Sequence, residues 1–167
     1  KDKYFDYQIK KNFGYLIEDA VLGYLNDWQK SLDGSLALII LTDQFTRNVF
    51  RGTPRSFSGD MLALKTCLHC LCSFDVSQQK KERSHFILIP LMHSENLKFQ
   101  EMSMPLFRMH TSEKVYQYAL KHKNIVVRFG RFPQRKAISG RTSTKSEIKS
   151  LKVLNLHSSN SINSDKL

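Results

Sequence analysis

Long apolar runs are missing from this 167-residue sequence: no stretch of eighteen apolar residues occurs, and the segment Leu36 to Leu41 (LALIIL) is short. That excludes a membrane-spanning helix, which needs roughly twenty such residues. Cysteine is scarce as well. Cys67, Cys70 and Cys72 crowd into one stretch, CLHCLC, too close together and odd in number for a disulfide framework, so a reducing, cytoplasmic setting is expected. His69 lies among them, yet no second Cys/His pair at ligand spacing follows to complete a tetrahedral shell; a packed helix is expected there, not zinc. Strict alternation of apolar and polar residues is absent, which argues against sheet. No nucleophile elbow is present, which argues against a serine hydrolase built on Ser94, and no sequence repeat is visible. The opening, KDKYFDYQIKKNF, has neither an initiating methionine nor the apolar stretch of a secretory signal, so the chain is expected to start inside a longer protein.

What is present is helical amphipathicity. With 41% hydrophobic residues the chain can bury roughly two thirds of its unfolded surface around one core. From Phe5 to Trp28 apolar residues fall at steps of three and four, predicting a helix broken near Gly14 or Gly23. A second helix of about fifteen residues starts at an Asp33 or Ser35 cap and ends at Gly52 and Pro54; a third starts at Ser58 or Asp60. SFDVSQQKKERS reads as an exposed connection. Pro90 is expected to divide two helices, with Ser94 capping the later one. HTSEKVYQYALKHKNIVVRF predicts a further helix ending at Gly130, and Thr144 with Glu147 has the spacing of a capping box. The expectation is an all-α antiparallel bundle of six to seven helices over residues 1–152, with a disordered polar tail at 153–167.

Charge is unevenly placed. Of the net +11, residues 121–167 carry most, with eleven Lys or Arg against two acids. Such a field can draw nucleic acid, although no RNA-binding signature accompanies it.

Three polar signatures stand out: DQFTRNVFRG at Asp43 to Gly52, MHSE at Met92 to Glu95, and RFGRFPQRKAISGR at Arg128 to Arg141. Together with LALIIL they resemble the bacterial domain of unknown function 924 family, in the same order and at similar spacing from about Phe5 to Leu151. The resemblance implies an all-helical fold similar to tetratricopeptide-repeat proteins, and it implies no particular reaction. Gln134 and Lys136 flank Arg135 where the family shows His and Asn, and the aromatic segment that the family has ahead of Phe5 is missing, so part of the first helix's apolar face is expected to be uncovered.

On a helix Asp43, Arg47 and Arg51 share one stripe, with Gln44 and Asn48 on the neighbouring ridge. Burying so many polar groups requires partners, and two readings stay open. In one, Asp43 and Arg47 pair with each other or with Glu95 and Arg131 and lock the bundle. In the other, Arg47, Arg51, Arg131 and Arg135 offer planar forks to a small anionic ligand or an acidic peptide, in a groove beside Asp43, Asn48, His93 and Glu95. An enzyme would use the same residues differently, with His93 as general acid or base, Glu95 or Asp43 as its orienter, and the arginines stabilising developing negative charge. RNA binding through the basic carboxy-terminal region is a third reading. Asp43, His93, Glu95 and His122 could ligate a divalent ion, but the arginines would repel it, so no metal or other cofactor is expected. The sequence leaves the oligomeric state open.

Overall fold

The computed structural model describes residues 2–135, 138 and 140–150. Helix α1 (Lys3–Val21) forms because Asp2 caps it, accepting from the backbone N–H groups of Tyr4 and Phe5, and because Ile9, Ile17 and Ala20 recur on one buried face. Gly14 is carried inside the helix, and the chain turns at Gly23. Tyr4, Phe5, Tyr7 and Tyr15 remain exposed on α1.

The second predicted helix starts earlier than its sequence signals indicate. Ser31 is the cap, its hydroxyl accepting from the N–H of Gly34, and Ser35 lies buried one turn in. α2 (Leu32–Ile39) runs without a break into a π-helical segment, Ile40–Phe45, and then into α3 (Thr46–Val49). Both sides of this composite helix are covered. Leu36 and Ile39 pack into one apolar cluster with Ile87, Leu88, Leu91 and Phe107, while Leu38 and Leu41 pack into another with Ile9, Ile17 and Ala20. α1 therefore lies against the π segment and α3 on one side, and α4 (Asp60–Ser73) and α5 (Lys81–His93) lie against α2 on the other.

Pro90 does not divide two helices. It sits inside α5, in a run from Ile87 to Met92 that is buried throughout, so packing on every side outweighs the backbone hydrogen bond that proline lacks. The break comes after His93. There Asn96, not Ser94, caps α6 (Leu97–His110), and the Ser94 hydroxyl accepts from the N–H of Asn96. α7 (Glu113–Phe129) follows a short turn, packs on α6 and α5, and stops at Gly130, whose φ of +68° is the left-handed conformation that glycine adopts without strain. Residues 145–150 are helical, entered through the Thr144–Glu147 capping box. The seven α-helices account for the all-α expectation, and no strand occurs among the described residues. Lys136 and the tail expected at 153–167 lie outside the described residues. No helix among the described residues is long and apolar enough to cross a membrane.

Two of the three cysteines serve packing, and Cys72 is exposed. Cys67 and Cys70 are buried in the core, and both ring nitrogens of His69 are engaged, one with the Gln29 carbonyl and one with the Ser73 hydroxyl.

Candidate functional site

Asp43 stands on the π-helical segment, a rare conformation that is often found at functional sites because the widened turn re-aims its side chains. Local hydroxyls support the distorted backbone: Thr42 donates to the Leu38 carbonyl at 2.7 Å, and Thr46 to the Thr42 carbonyl at 2.8 Å. Gly59, just ahead of α4, lies directly against this segment. A Cβ there would come within 2.2 Å of the Thr42 carbonyl oxygen, so only glycine lets α4 approach so closely.

The Asp43 carboxylate is buried. His93, the last residue of α5, presents Nδ1 to both of its oxygens, at 2.9 and 3.0 Å. Because a carboxylate only accepts, Nδ1 carries the proton and donates. Gln44 also donates to the carboxylate, and Arg47 lies 3.2 Å from it while donating to the Asp43 backbone carbonyl. Burial pushes the Asp43 carboxyl up, but the charges and hydrogen bonds of His93, Arg47 and Gln44 outweigh it, and the group stays below the usual carboxylate range. Nε2 of His93 makes no hydrogen bond to the described residues.

Asp60, in the first turn of α4, joins two arginines. Its Oδ1 accepts from Arg47 and its Oδ2 from Arg135, both at 2.8 Å. Arg135 also donates to the His93 carbonyl at 2.8 Å, and its guanidinium lies 4.6 Å from the centre of the Phe57 ring and 5.0 Å from that of Phe132. The end of α5 is thus tied to α4 and to the segment after α7. His122 of α7 completes the group, its ring centre 6.0 Å from that of His93 and its edge against Phe132. Its Nδ1 donates to the Tyr118 carbonyl at 2.8 Å, which leaves the lone pair on Nε2 in the neutral ring. Burial depresses its basicity, helped by the nearby His93 and Arg135 and opposed by the Tyr118 carbonyl.

Two cavities meet at this cluster. One, of about 190 Å³, is bounded by Asp43, Asp60, Pro90, His93, Ser94 and Arg135; the other, of about 180 Å³, by Arg47, Phe57, His93, His122, Gln134 and Arg135. His93 and Arg135 form the wall they share.

The remaining predicted residues lie elsewhere. Asn48 and Arg51 turn to α1, where Asp6 accepts from Asn48 at 2.7 Å and from Arg51 twice at 3.0 Å. Arg131 pairs with Glu147 at 2.9 Å. Glu95 borders the first cavity but is not the orienter of His93. Its carboxylate accepts from the backbone N–H of Phe132 at 2.8 Å and pairs with Arg141 at 2.9 Å, holding down the segment that follows α7. Of the four arginines, then, Arg47 and Arg135 come together and Arg51 and Arg131 do not.

Asp60 and Phe57 are site residues that the sequence reading missed. An acid in the first turn of a helix is what any helix favours, so Asp60 carried no distinct signal. His122 was legible only as a possible metal ligand. No group of three His, Cys, Asp or Glu side chains placed to hold a metal occurs among the described residues.

The family described as "Bacterial protein of unknown function (DUF924)" is matched over residues 1–154. A solved structure, that of the protein of unknown function ATU0120 from Agrobacterium tumefaciens, is similar at 31% identity, with a TM-score of 0.86, over 90% of this chain and 85% of that one. No curated protein matches the chain.

Proposed function

The chain belongs to the DUF924 family of bacterial proteins, and from that premise we propose that it is an enzyme in which His93, oriented by Asp43, exchanges a proton with a small polar substrate. One observation carries this reading: an imidazole fixed through Nδ1 by a fully buried carboxylate, with Nε2 unpartnered among the described residues and the ring forming a wall of two cavities. A histidine that served packing alone would have no need of so costly a partner in the core.

The arginines are better suited to support than to capture. Arg47 and Arg135 offset Asp43 and Asp60, so this quartet presents no net positive charge to an incoming anion. Their contribution is to keep Asp43 ionised and to fix the carbonyl of His93. Arg135, at the wall of both cavities, is placed to favour a substrate oxygen as it gains negative charge. No hydroxyl or thiol among the described residues hydrogen-bonds to His93. Cys67 is buried, and burial pushes its thiol far up. The partner in proton exchange is therefore a water molecule or the substrate itself, which suits hydrolysis, hydration or proton abstraction beside a carbonyl.

The test is a panel of small esters, amides, hydroxy acids and carbonyl acids, followed with the wild type, His93→Gln and Asp43→Asn. Both substitutions are expected to lower turnover on the order of 10²–10⁴-fold without unfolding the protein. A wild type that turns over none of the panel but binds small carboxylates would return the site to ligand binding. Variants that keep every activity of the wild type would remove His93 from the chemistry.

A further inference from the structure

A third cavity, of about 300 Å³, lies between α5 and α7, bordered by His85, Ile89, Met92, Val115, Tyr118 and His122. It shares the His122 ring with the second cavity, so the three form a row: polar and apolar surface mixed beside Asp43 and Asp60 and around His93, apolar alone beyond His122. We infer that the substrate of the His93 site is amphiphilic, with an alkyl or aryl arm that lies along Ile89, Met92, Val115 and Tyr118 while its polar end sits at His93.

The inference rests on the proposed chemistry at His93, and its own support is the change of character across His122. The surface beyond that ring is apolar. Two imidazoles border it, and burial depresses the basicity of both, so neither adds a charge near neutral pH. The Tyr118 carbonyl, which could have drawn water into the cleft, already accepts from His122 Nδ1. Lys114, exposed, is the one Lys or Arg side chain bordering the cleft among the described residues. A cleft of this kind gains by holding hydrocarbon, about 0.8 kcal/mol for each methylene removed from water. It adjoins, at the His122 ring, the second cavity that His93 also borders, and this nearness makes a group attached to the substrate the fitting occupant.

Sodium acetate, butyrate, hexanoate and octanoate, titrated calorimetrically into the protein, test this directly. Affinity is expected to rise about fourfold per added methylene, the equivalent of 0.8 kcal/mol. Val115→Trp, which fills the cleft, should flatten the series to the acetate level. His93→Gln should keep the rise while lowering turnover of the substrate panel. A flat series in the wild type, or an undiminished rise in a folded Val115→Trp protein, would overturn the inference. Should that variant not fold, the Met92 methyl resonance of the wild type decides: octanoate must shift it and acetate must not, and an unmoved signal overturns the arm. If the rise and the Met92 shift are seen while His93→Gln leaves turnover intact, the apolar arm stands and the proposal for His93 fails.

Discussion

The two halves of one short stretch, residues 43–51, do different work. Asn48 and Arg51 point at α1, and three of their N–H groups converge on the Asp6 carboxylate in a partly solvated pairing. Asp43 and Arg47, one turn earlier, point the other way, toward α4, α5 and the segment beyond α7. Their network is drier and more widely connected, and it ends on His93 Nε2, which no described residue engages. Polar residues crowd both halves, so polarity alone does not mark a site. The distinguishing feature is a buried set of partners that leaves one titratable atom facing a cavity.

Substitutions across the two halves should expose that contrast. The largest effect is expected from Asp43→Ala, which leaves the buried His93 Nδ1–H without its acceptor and Arg47 with Asp60 as its remaining carboxylate partner; a loss of about 3–5 kcal/mol should appear in urea unfolding. Gly59→Ala follows. Its methyl group collides with the Thr42 carbonyl and prises α4 from the π segment, costing about 1–3 kcal/mol as overpacking and disturbing the site along with the fold.

The pH dependence of stability separates the groups next. His85 and His122 have folded-state values below their ordinary 6.5, so the unfolded chain binds more protons, and their contribution is lost as the pH falls from about 6.5 through those lower values. Asp43, below 3.8 when folded, contributes above that value and loses its contribution only as the pH falls further. Melting temperatures recorded from pH 8 to 3 should therefore show two declines, and His122→Asn should diminish the first and leave the second.

The smallest effect belongs to the α1 side. Arg51→Ala removes a partly exposed pair and should cost about 0.2–1 kcal/mol, with turnover unchanged. An Arg51→Ala protein that is stable but inactive would erase the distinction between the halves.

Much of the helical frame was legible because apolar spacing reports a buried face directly. The α7 stop at Gly130 and the Thr144–Glu147 capping box were both visible in the sequence. Pro90 misled because its penalty is local while the burial of Ile87 to Met92 is tertiary. The site was legible only in part. Periodicity predicts which residues share a face but not what meets that face, so Asp43, Arg47, Asn48 and Arg51 looked like one constellation. The π segment, which helps to set where Asp43 points, has no signature at the 3.6-residue period. Glu95 seemed the natural companion of His93 through proximity in sequence, but α5 ends at His93, and the turn carries Glu95 to Phe132 and Arg141.

The tautomer of His93 tests the central claim most directly. Nitrogen-15 NMR of the imidazole rings should find that the neutral His93 ring carries its proton on Nδ1, hydrogen-bonded to Asp43, and that Nε2 is the nitrogen without one. A proton resting on Nε2, with Nδ1 unprotonated beside Asp43, would contradict the assignment of His93 as the working group.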